Sequence, residues 1–174
     1  IGVLALGGAD VSGNHNIAIG SNAADSMTSG ASNIAMGVNA LGANTTGTCN
    51  VAIGFNAVST AGASAIADNV GIGQSALGGA ALTGSSNIGI GKNTADALTS
   101  GACNIAIGET AYGAATTGCY NTAIGYNSIG TGVTTGEMNV AMGVSSLAAV
   151  IGGNCNVAIG RSAMSAATTG CHNV

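Results

Sequence analysis

Apolar and polar positions recur along this 174-residue chain with a period near seventeen. The unit starts at Asn16 as Asn-Ile-Ala-Ile-Gly, and recognisable copies start at Asn33, Asn50, Asn69, Asn87, Asn104, Asn121, Asn139, Asn156 and Asn173. The intervals are 17, 17, 19, 18, 17, 17, 18, 17 and 17 residues, and Val3–Gly7 is a degenerate earlier copy. So short and regular a period predicts a solenoid, in which no repeat can bury its apolar face alone and each depends on its neighbours.

Aligning the copies turns one sequence into ten readings of each position. Counting Asn as position 1, position 2 is Ile, Val or Thr (Ile17, Ile34, Val51, Val70, Ile88, Ile105, Thr122, Val140, Val157) and position 4 is Ile or Met (Ile19, Met36, Ile53, Ile72, Ile90, Ile107, Ile124, Met142, Ile159). Residues two apart share a side of a strand, so positions 2 and 4 are expected to face the core. Position 3 is Ala or Gly throughout, which suggests a small reverse face that packs against sister chains. Position 5 is an unvarying Gly, the sign of a tight corner or a positive φ. Position 6 accepts Ser21, Val38, Phe55, Gln74, Lys92, Glu109, Tyr126, Val144 and Arg161, so it should face solvent. Positions 7 to 9 run Asn or Ser, small, then apolar, and read as a second short strand. Turns such as Thr45-Thr46-Gly47 and Thr116-Thr117-Gly118 return the chain to the next Asn. Stacked on itself, the Asn column (Asn16, Asn33, Asn50, Asn69, Asn87, Asn104, Asn121, Asn139, Asn156) is expected to form an amide ladder. The fold class that follows is all-β: a parallel β-solenoid or β-roll of about ten coils, two short strands per coil, in a single repeat region over residues 1–174.

Composition narrows the picture. With 31 Gly, no Pro, no Trp and one Phe, the core must be thin and the backbones close. Six acids stand against Lys92 and Arg161, a net charge of −4, so no basic stripe exists for nucleic acid. No run of eighteen apolar residues predicts a membrane span, and no signal peptide stands at Ile1. Because the chain opens and closes inside repeats, it reads as a segment of a longer fibre.

The pattern Asn-[Ile/Val]-Ala-[Ile/Met]-Gly followed by x-[Asn/Ser]-Ala resembles the head repeats of trimeric autotransporter adhesins. Asn121-Thr122-Ala123-Ile124-Gly125-Tyr126-Asn127 with Thr134-Thr135-Gly136 is also similar to repeats in bacteriophage tail fibres. The resemblance covers essentially the whole chain and implies a homotrimeric β-roll that serves attachment to a host surface glycan or protein, placed on a virion or at a cell surface. The coils here are longer than the adhesin's, which implies a longer turn.

Candidate chemistry is sparse. His15 and His172 lie nine repeats apart, so no triad is supported. Asp25 and Asp96 share a column four coils apart, roughly 19 Å at ordinary strand spacing, too far for an acid–base pair. Neither a calcium motif nor a phosphate loop is present, and no cofactor, metal or catalytic residue is expected. Cys49, Cys103 and Cys155 directly precede Asn while Cys119 and Cys171 stand one residue earlier, and all five read as small side chains filling small slots, with a disulfide between neighbouring coils as the alternative. Phe55, Lys92, Tyr126 and Arg161 on the free position are the candidates for surface recognition, the aromatics by stacking on sugars. Adjacent Thr in the turns raises ice binding as an alternative, but the column lapses to Gly62, Ala81, Val133 and Ile151. Ile19–Ala24 fits one hexad of a hexapeptide-repeat acyltransferase, a pattern that seventeen residues cannot sustain.

Overall fold

A computed structural model describes residues 1–8, 11–59, 65–79, 81–132 and 134–174; Gly62 and Val133 of the turn column lie outside the described residues. The architecture is one parallel sheet of nine three-residue strands stacked in sequence order: β1 (Ile17–Ile19), β2 (Ile34–Met36), β3 (Val51–Ile53), β4 (Val70–Ile72), β5 (Ile88–Ile90), β6 (Ile105–Ile107), β7 (Thr122–Ile124), β8 (Val140–Met142) and β9 (Val157–Ile159). Register is maintained by identity of position, Ile17 opposite Ile34, Ala18 opposite Ala35 and Ile19 opposite Met36, and so on to Met142 opposite Ile159. The 19- and 18-residue repeats keep the same register, so their extra residues are absorbed outside the strands. The chain is an all-β solenoid.

The strand has two sides, and the inward one carries the small residues. Position 3 is buried in every strand, whereas positions 2 and 4 are half-buried or exposed in all nine. This corrects the expected orientation: Ile and Val face outward, and the Ala/Gly column is the core rather than a contact for sister chains. The cause lies across the coil. Leu41, Val58, Leu77, Tyr112, Ile129 and Leu147 at position 9 fill the interior and are essentially unexposed. They leave room for little more than a methyl group on the strand opposite. A Cβ built on Gly71 would stand 2.5 Å from Val58 Cγ2, and one on Gly89 would stand 3.0 Å from Leu77 Cγ.

The second leg is not a strand. Positions 7 and 9 both adopt left-handed φ, 50–58° at Asn22 through Ser162 and 48–56° at Ala24 through Met164, so the chain turns where extended backbone was expected. Coil-to-coil bonding continues there all the same: Asn39 N–H donates to Ser21 O at 2.9 Å and Leu41 N–H to Ala57 O at 2.9 Å. The corner glycines hold φ between 121° and 135°. A Cβ on Gly37 would lie 2.5 Å from the carbonyl oxygen of Gly54 on the next coil, so both conformation and space demand glycine there.

Candidate functional site

Three ranks of residues run the length of the stack and define its chemistry: the buried asparagines, the outward apolar face and the free column beside it. Each asparagine from Asn33 to Asn156 repeats one bonding scheme. Its backbone N–H and its Nδ2 both donate to Oδ1 of the preceding asparagine, as when Asn104 reaches Asn87 at 3.1 and 3.0 Å and Asn121 reaches Asn104 at 2.9 and 3.2 Å. The second Nδ2 proton goes to a turn carbonyl of the following coil, Gly118 O at 2.8 Å for Asn104 and Gly136 O at 2.9 Å for Asn121. Every amide thus binds the coil before it and the coil after it, while Asn33 through Asn156 are at most 1% exposed. Asn16, at the first strand, is half-buried and donates to Gly30 O at 2.7 Å. Ile66 stands where other coils have the turn glycine, and its carbonyl accepts from Asn50 in the same way.

Tyr112 joins this ladder from the core. Its hydroxyl donates to Gly118 O at 3.1 Å and stands 2.7 Å from Asn121 Nδ2, whose two protons are shared among this oxygen, Asn104 Oδ1 and Gly136 O. Burial raises the phenol's pKa far above its ordinary value, the bond from Asn121 opposing only in part, so the group stays a neutral strut.

On the outside, positions 2 and 4 form two continuous rows of Ile, Val and Met broken once, by Thr122. Ile17 is 49% exposed and Ile159 69%. The free column lies along this face. Phe55 and Tyr126 project from it, 52% and 55% exposed, next to the exposed Val38 and Val144. Lys92 lies 3.8 Å from Glu109 on the next coil, an exposed pair worth little to stability, and Arg161 is exposed on the last strand-bearing coil. The structure therefore keeps the four recognition candidates on one column but strings them over seven coils, and no two are on neighbouring coils.

Other chemistry stays dispersed. Among the described residues no three His, Cys, Asp or Glu come close enough to hold a metal ion. Asp25 lines a shallow polar groove with Asn39, Asn56 and Ser59, where Asn39 Nδ2 donates to Asn56 Oδ1 at 2.8 Å and Ser59 Oγ at 3.0 Å. Asp96 is not part of it.

All five cysteines are free. Cys119 Sγ accepts from Ala102 N–H at 3.4 Å and donates to Thr117 O at 3.6 Å, and Cys171 repeats both contacts with Asn154 and Thr169. These thiols tie backbone together. The column that holds Cys49, Cys103 and Cys155 is no small slot, since the exposed Tyr120 and Met138 share it.

Several turn threonines are likewise engaged: Thr28 Oγ1 donates to Thr45 O at 3.2 Å and Thr99 Oγ1 to Thr116 O at 2.9 Å. Sequence reasoning missed the outward face, although a signal was present. Position 9 carries Leu, Val, Tyr or Ile in six coils, bulk that an interior holds only opposite a column as small as position 3. No known family model, no curated protein and no solved structure matches the chain.

Proposed function

We propose that this chain is a rigid structural segment of an attachment fibre, a tail-fibre shaft or surface-adhesin head, working as a homotrimer outside the cell or on a virion. The observation that supports it most is the unbroken stack itself. Nine parallel strands in one register make a rod about 40 Å long at ordinary strand spacing, held by a buried amide ladder, with none of the described acids, thiols or imidazoles gathered into a metal-binding cluster. Such a body transmits position and force. Host recognition by this segment would fall to Phe55, Lys92, Tyr126 and Arg161, each presented alone.

The ice-binding alternative gains nothing from the hydroxyls of Thr28 and Thr99, which are spent on carbonyls of the next coil. Imaging the native filament in cross-section tests the fibre reading, with three lobes expected; a compact, non-filamentous particle would sink it. Replacing Phe55 and Tyr126 with Ser separates shaft from receptor-binding surface. Unchanged attachment to host cells makes this stretch a shaft only.

A further inference from the structure

We propose that the outward face of β1–β9, positions 2 and 4, is the surface through which copies of this chain pack side by side with parallel axes. The inference deepens the fibre reading and rests on it for the parallel arrangement.

Eighteen residues form the face, two from each of nine strands, all Ile, Val or Met except Thr122, and none of the eighteen is buried. A contiguous apolar strip of this length is unusual on a lone soluble chain. Its size is that of a protein contact: with the free column beside it the face approaches the roughly 20–30 residues a side of a standard interface.

The occupant follows from the periodicity. The rows repeat coil by coil in a register set by β-pairing, Ile17–Ile34 through Val140–Val157. A second copy carries the same rungs at the same interval, so one matched rung matches them all. A surface of any other period falls out of step within a few coils. No charge stands on positions 2 and 4 to oppose this, and the free column beside them adds Val38, Phe55, Tyr126 and Val144 along with the paired Lys92 and Glu109 and the single charge of Arg161. The opposite orientation, small residues outward, is closed because position 3 is already core.

Two measurements on the full chain test the proposal. Sedimentation of the wild type should give a multimer whose mass is unaffected by salt, and I53K/I90K/I124K should sediment as a monomer with its β-sheet circular dichroism retained. A monomeric wild type, or a variant of unchanged mass, overturns the proposal.

The second measurement needs no variant and decides the matter if the lysine variant fails to fold. Met36 and Met142 lie on the face at 37% and 39% exposure, and Met138 lies off it at 52%, values too close to separate their rates several-fold in a lone chain. Under dilute hydrogen peroxide, Met36 and Met142 should form sulfoxide several-fold more slowly than Met138. Equal rates overturn the proposal. A single-lobed filament built from monomeric chains would remove this interface and leave the fibre reading in place. Multimers with no part in attachment would do the reverse.

Discussion

Asparagine 104 shows what one residue does in this molecule. Its Oδ1 takes two donors and its Nδ2 supplies two acceptors, all buried. Asn104→Asp keeps the shape and the accepting oxygen but faces Asn87 Oδ1 and Gly118 O with an atom that cannot donate. Each acceptor keeps one donor, the Asn104 backbone N–H on Asn87 Oδ1 and the Tyr112 hydroxyl on Gly118 O, so two buried hydrogen bonds are lost at about 0.5–1.5 kcal/mol each, a loss of at least roughly 1–3 kcal/mol, measurable by denaturant unfolding. Position 7 offers the opposite case. Thr110 holds φ 54° where five coils have Asn, and a β-branched side chain is poorly suited to that region. Thr110→Asn should therefore raise stability by about 1 kcal/mol and increase Tm. Asp96 has its carboxyl pKa raised by burial, with backbone N–H donors of Asp96 and Ala97 pulling the other way. A raised folded pKa means the protonated form fits the fold better, so this contribution is present below the ordinary carboxylate range and is lost as pH rises through Asp96's own titration. Asp96→Asn should stabilise the chain at pH 7 and make no difference at pH 3; an equal gain at both pH values would refute the assignment.

At the scale of the coil, positions 9 and 12 share the interior volume in five coils, while the coil of Leu147 buries Val150 as well. Coils with Ala24 or Ala95 at position 9 carry Met27 or Leu98 at position 12, while Leu41, Tyr112 and Ile129 face Asn44, Ala115 and Gly132. Ala95→Leu alone should overpack by about 1–3 kcal/mol and Leu98→Ala alone should leave a cavity costing about 2–5 kcal/mol. Together they reproduce the arrangement of the Tyr112 coil, so the double variant should be more stable than the two losses summed, by about 1–3 kcal/mol in a double-mutant cycle. The β-strand at positions 2 to 4, the corner glycine and the Asn column were legible in the sequence because each recurs with a fixed chemical demand. Sidedness was not. A period of two says which residues share a face and leaves open which face is inside, and that choice was made by Val58, Leu77 and Tyr112 on the other leg, far outside the strand motif. The second leg was misread for a related reason: Asn-Ala-Leu looks extended by hydropathy, but the left-handed φ at Asn39 and Leu41 shows only in backbone geometry, and the Asn preference at position 7 was its one trace.

The whole molecule behaves as a one-dimensional array. Strands contact only their neighbours in sequence, so stability should be close to a sum of coil and interface terms. Deleting residues 88–104, one full seventeen-residue period, should leave the circular dichroism per residue unchanged and reduce the denaturant m-value in proportion to the lost coil. Collapse of the entire fold after that deletion would show that the coils are not interchangeable. The asparagine ladder also gives this array a direction. Every amide oxygen points toward the higher-numbered coil and receives from it, from Asn16 through Asn156, so the side-chain dipoles add along the axis instead of cancelling. Bonds aligned head to tail polarise one another, and the rod acquires a more electronegative end toward Asn173 and a more electropositive one toward Asn16. Two rods laid side by side are then electrically distinguishable as parallel or antiparallel by their ladders as well as by their eight formally charged side chains.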